Sequence, residues 1–167
     1  MIRLSCALMC CFSLTVAALS SQEALAADTP AAPAASAGVM TPIQRAESAP
    51  RGSLKNPYNP TQADRVAEGR ELFQSYSCSG CHGGTGGGGM CPPVNGEVWF
   101  YGLADDTLFR LITIGSLGMQ EQGFDRLGGP GLQMPPFGAL IKSDDELWKI
   151  LTWIRSVYKG DPAQKFW

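Results

Sequence analysis

Five consecutive residues, Cys78-Ser79-Gly80-Cys81-His82, constrain this chain more than any other feature. They set two sulfur nucleophiles and the chain's single histidine side by side, and Gly83-Gly84-Thr85-Gly86-Gly87-Gly88-Gly89 follows at once. Two long stretches rich in glycine and proline, 83–102 and 115–140, flank a short apolar segment. In a domain of roughly a hundred residues, loops of that length need something to wrap around.

The segments that can supply a core are helical. Thr61 is expected to cap a helix in which Val66, Gly69, Leu72, Phe73 and Tyr76 share one stripe and which stops before Cys78. A second helix is expected from Asp105 as cap to Gly115 as stop, with Leu108, Phe109, Leu111 and Ile112 inside it. The third opens on Ser143-Asp144-Asp145-Glu146, a capping box with acids in the first turn, and carries Leu147, Ile150, Leu151, Ile154 and Val157 on its stripe. No alternating strand pattern and no long-period repeat occurs, so the expected class is all-α with three to four helices and much irregular chain.

The ends read differently. Arg3, the apolar run Leu4 to Leu19 and the small pair Ala24 and Ala26 describe a secretory signal over residues 1–26, cleaved after Ala26 and removing Cys6, Cys10 and Cys11. Residues 27–60, rich in Ala, Pro and Ser, are expected to be an extended linker, 61–158 the domain, and 159–167 a tail. The domain carries seven basic and eleven acidic side chains, a net charge of −4, which argues against nucleic acid as a partner.

Cys-x-x-Cys-His is the pattern by which a c-type haem is attached. Each thiol adds to one vinyl group, and the turn brings His82 beneath the iron. A thioredoxin-like reading would need a strand before Cys78 and a helix after it, and neither pattern is present. Zinc is a rival, because Cys78, Cys81, Cys91 and His82 form a three-cysteine, one-histidine set, although adjacent Cys81 and His82 make a tetrahedron awkward. A low-spin carrier also needs a second axial ligand, and without another histidine that ligand is a methionine. Met134, in Gln133-Met134-Pro135-Pro136-Phe137-Gly138, is the first candidate and Met119 the runner-up.

These residues together resemble a class I cytochrome c over Thr61 to Tyr158: "EGRELF", "CSGCH", "CPPV", "MPPF" and the final "LWKILTWIRS". The resemblance implies the cytochrome c fold around one covalent haem c, with Gly69 and Phe73 meeting Ile150 and Trp153 where the first and last helices cross. It also implies that the Pro92 carbonyl accepts a hydrogen bond from His82. Trp99, Tyr101 and Arg110 are candidates to hydrogen-bond the haem propionates. Cys91 departs from the family's usual glycine, and its expected state is a buried, inert thiol. Residues 120–133 read as an insertion between the two candidate methionines.

The function so implied is one-electron shuttling by an exported, periplasmic carrier rather than an enzyme. The resemblance is greatest to small periplasmic cytochromes serving quinoprotein alcohol or methanol dehydrogenases, which pass electrons toward a terminal oxidase. Two other classes stay open at this stage: a haem enzyme or gas sensor with an open sixth position, and a zinc-binding structural module.

Overall fold

The computed structural model describes residues 39–127 and 131–161. Five helices run through them: α1 (Pro42–Ser48), α2 (Ala63–Ser75), α3 (Cys78–His82), α4 (Asp105–Glu121) and α5 (Asp144–Ser156). Among the described residues no strand occurs, and the fold is all-α. No described helix is long and apolar enough to cross a membrane. The expected signal peptide, residues 27–38 of the expected linker and residues 162–167 of the tail lie outside the described residues.

Helix α5 forms as its sequence dictates. The Ser143 hydroxyl accepts from the Glu146 amide at 3.2 Å, and three acids face the positive end of the helix dipole. Leu147, Ile150, Leu151 and Ile154 are buried along one face, each contributing about 1.5–3 kcal/mol of apolar burial.

Helix α2 crosses α5 at a contact that only glycine permits. A Cβ built on Gly69 would lie 1.9 Å from the Lys149 carbonyl oxygen and 3.0 Å from the Trp153 Cβ. The backbones therefore touch, and the Phe73 ring fills the adjoining space with its centroid 4.4 Å from that of Trp153. The helix starts one residue later than expected, at Ala63. Thr61 does not cap it, because its hydroxyl donates to Asn59 Oδ1 at 2.9 Å, and Gln62 flanks the first turn without a side-chain cap.

Asp105 likewise sits inside α4 rather than capping it. Its buried carboxylate accepts from Arg155 Nη2 of α5 at 2.5 Å and from the Asn56 amide at 3.0 Å. Gly115 interrupts the helix with φ 71° and ψ 174°, as a stop residue should, yet helical turns resume beyond it to Glu121.

Residues 39–60 differ from the extended linker expected there. Thr41 caps α1 in a full capping box with Gln44, and Pro42 occupies the first turn. Arg45 pairs with Asp144 at 2.7 Å, while the buried Arg110 of α4 donates to the Ala46 and Ala49 carbonyls at 2.7 and 2.8 Å. The segment's buried apolar anchors, Pro42, Ala46 and Leu54, are few, so it lacks the apolar pattern that marks a docked element in sequence.

Candidate functional site

The site begins where α2 gives way to α3. Ser77 takes the left-handed conformation, φ 60° and ψ 18°, an uncommon state for a residue with a side chain, and so redirects the chain between two helices. The single turn that follows, Cys78–His82, buries Cys78 and leaves Cys81 and His82 half-buried.

The glycine run then folds back over that turn. Gly83 has φ 76°, and a Cβ on it would lie 2.5 Å from the Gly88 carbonyl oxygen. The Gly88 amide donates to the His82 carbonyl at 2.9 Å, and the Cys91 amide to the Cys81 carbonyl at 3.0 Å. This return brings Pro92 to His82, with Nδ1 2.7 Å from the Pro92 carbonyl oxygen. A carbonyl only accepts, so Nδ1 carries the proton and donates. In the neutral ring Nε2 keeps its lone pair, which is the nitrogen a metal would take.

Cys78, His82 and Pro92 line a largely apolar cavity, and so do Met134 and Ser116. The space amounts to about 950 Å³ with solvent at its mouth included. Burial pushes the Cys78 thiol up to about 11, so it is a neutral S–H here. Cys81 is not among the lining residues.

Met119, the runner-up, does not line the cavity and is fully buried in α4. Cys91 is half-buried rather than buried, because the returning loop keeps it near the surface; partial burial and the neighbouring Cys81 thiol push its own pKa up. Arg110 also departs from expectation: its guanidinium is engaged by Asp106 at 2.9 Å and by the Ala46 and Ala49 carbonyls, away from the cavity. Arg126 lines the cavity instead, 4.5 Å above the Phe100 ring centroid. No periodicity or motif in residues 120–133 could have singled it out. Among the described residues no three His, Cys, Asp or Glu side chains gather as a metal site, so the zinc set is not assembled.

The residues fit a haem. Trp99 Nε1 and Tyr101 Oη line or border this cavity, are buried, and have no hydrogen-bond partner in the protein. Two buried donors without acceptors are costly in isolation, and the carboxylates of a macrocycle seated against the apolar walls would satisfy them.

Comparison with known proteins agrees. Residues 64–154, more than half the chain, match the family described as "Cytochrome C oxidase, cbb3-type, subunit III". Over 104 residues the chain is 32% identical to cytochrome c-L of Methylorubrum extorquens, covering 61% of this chain and 45% of that protein. This chain therefore spans just under half the length of that relative. It is also similar to the crystal structure of cytochrome CL from the marine methylotroph Methylophaga aminisulfidivorans, at 28% identity and TM-score 0.49, with 64% of this chain and 61% of that one covered. For cytochrome cL from Hyphomicrobium denitrificans the identity is 31% and the TM-score 0.47, with 62% and 53% covered. The cofactor of such domains is haem c with its iron, and their role is to carry electrons. Motif, cavity and sequence match converge on one assignment: the chain belongs to this family of cytochrome c domains.

Proposed function

We infer that the protein is an exported, periplasmic one-electron carrier in which Cys78 and Cys81 hold haem c, His82 and Met134 ligate the iron, and Pro92 orients His82. The observation that carries this reading is the 2.7 Å bond from His82 Nδ1 to the Pro92 carbonyl in a cavity that Cys78 and Met134 also line. Haem c, when bound, supplies the one-electron Fe(II)/Fe(III) couple, and thioether with imidazole favours a positive potential.

The chain's own groups do the rest. Cys78 and Cys81 would hold the haem, their S–H bonds adding across its two vinyl groups to give thioethers that would prevent loss of the cofactor. The Pro92 carbonyl fixes the imidazole tautomer and the orientation of the ring. Trp99 and Tyr101 donate to propionates, and the apolar walls exclude water, which keeps rearrangement on electron transfer small.

The exchange surface is the cavity mouth. Val98 and Leu132 line the cavity yet are 66% and 64% exposed, an apolar rim of the sort that a transient partner covers. The resemblance to cytochromes serving quinoprotein alcohol or methanol dehydrogenases supports such an enzyme as donor and a terminal oxidase, or another cytochrome, as acceptor. Residues 1–26 then act as the export signal.

The test is a visible spectrum, oxidised and dithionite-reduced, of protein exported with haem-maturation factors, followed by acid-acetone extraction. Sharp reduced bands that stay with the polypeptide and a weak far-red thioether-to-iron band when oxidised are expected. A high-spin spectrum would mean an open sixth position and defeat the Met134 assignment, and a colourless product would defeat the carrier reading.

A further inference from the structure

The segment bearing Met134 is zipped to the break in α4, and one side chain completes the zip. In an unbroken helix the Ile112 and Thr113 carbonyls would accept from the amides of residues 116 and 117. The turn at Gly115 releases them, and they accept instead from Phe137 at 2.9 Å and Gly138 at 3.0 Å. The Ser116 amide donates to the Met134 carbonyl at 2.9 Å, and the Met134 amide donates to Ser116 Oγ at 3.0 Å. Pro135 and Pro136 have no N–H, so every amide from Met134 to Gly138 is accounted for. The approach is backbone on backbone: a Cβ at Gly115 would lie 2.6 Å from the Met134 carbonyl oxygen and 2.8 Å from the Pro136 nitrogen.

All but one of these bonds join main chain to main chain. Ser116 Oγ is the exception, it is buried, and Ser116 lines the same cavity as Met134. It grips the amide of the residue whose thioether is to reach the iron. Removing it leaves the other three bonds intact while freeing Met134 to swing.

We propose that Ser116 is the positioning residue for Met134, and that the Gly115-Ser116 break in α4 is the latch that governs how readily the thioether leaves the iron. This rests on the reading of Met134 as the iron ligand. An unlatched Met134 would yield its place to small external ligands at a higher rate, with haem and His82 undisturbed.

The experiment uses the haem-loaded full chain as wild type, Ser116→Ala and Ser116→Thr, at a temperature well below the unfolding of all three. Imidazole is added to the oxidised protein, and the limiting rate at saturating imidazole is read from the decay of the far-red thioether-to-iron band. Losing the acceptor of one partly buried amide should raise that rate by roughly tenfold in S116A. S116T keeps an Oγ and should stay near wild type. An S116A rate equal to wild type, even with a lowered unfolding temperature, would overturn the proposal and leave the ligand assignment standing. Absence of the far-red band in wild type would instead overturn the ligand assignment, and the proposal with it.

Discussion

Two methionines compete for one role, and burial separates them. Met134 is half-buried on the cavity, whereas Met119 is wholly buried outside its lining. Met134→Ala should therefore retain covalent haem, lose the far-red band, turn high-spin and show a lower midpoint potential. Met119→Ala should keep the spectrum and lose about 3 kcal/mol of stability as a core cavity opens. A low-spin, thioether-ligated Met134→Ala protein would reverse the two roles. At this scale the cavity lining was partly legible, because Cys78, His82, Pro92 and Met134 lie in short contiguous motifs, whereas Cys81 of the same motif stands outside the lining. Arg110 was misread because two of its partners, the Ala46 and Ala49 carbonyls, reach it only once residues 42–49 dock, and Ser116 passed unnoticed because its acceptor role exists only once Met134 folds onto it.

Between elements, the α2 and α5 crossing concentrates the stability that holds α3 in register. Gly69→Ala forces a Cβ into the Lys149 carbonyl, and the helices must separate. The expected loss is about 3 kcal/mol, toward the upper end for overpacking and larger than the roughly 1 kcal/mol of helix propensity gained. A urea midpoint unchanged in that variant would show that the contact yields freely. The same crossing is bridged at its rim by Lys149, which pairs with Glu68 of α2 at 2.7 Å and Asp145 at 2.9 Å. The hydrogen bond from Lys149 holds the Glu68 carboxyl below its usual range. Its folded pKa is depressed, so its contribution is complete above the ordinary glutamate value and disappears as the pH falls through the folded one. Lys149→Met should flatten that acid limb in a plot of urea midpoint against pH, and an unchanged limb would assign acid sensitivity to other carboxylates. The glycine at position 69 and the Ser143 cap announced this pair of helices, since both are local demands of a helix or its contact.

The whole molecule includes residues 39–60, which composition had cast as a linker. Arg110 and Asp106 are buried together; Arg110 donates to the Ala46 and Ala49 carbonyls, and Asp106 Oδ1 accepts from the Leu54 amide at 3.3 Å. Arg51 clasps the turn that follows the C-terminus of α4, donating to the Gln122 and Gly123 carbonyls and lying over the Phe124 ring. Such a strap escapes sequence reading because carbonyls accept regardless of residue type, so its attachment leaves no compositional trace. Yet it braces α4, the helix whose break carries Met134. Arg110→Ala strands the Asp106 carboxylate without its counter-charge and frees the Ala46 and Ala49 carbonyls, and losing one partner of a buried pair costs about 3–5 kcal/mol. The first consequence should be local. Trypsin should cut at Arg45 and Arg51 in the haem-loaded variant under conditions in which wild type resists, while haem stays attached through Cys78 and Cys81. Loss of stability without new cleavage there would mean that the strap stays docked through Arg45 and Asp144, and that Arg110 acts only within α4.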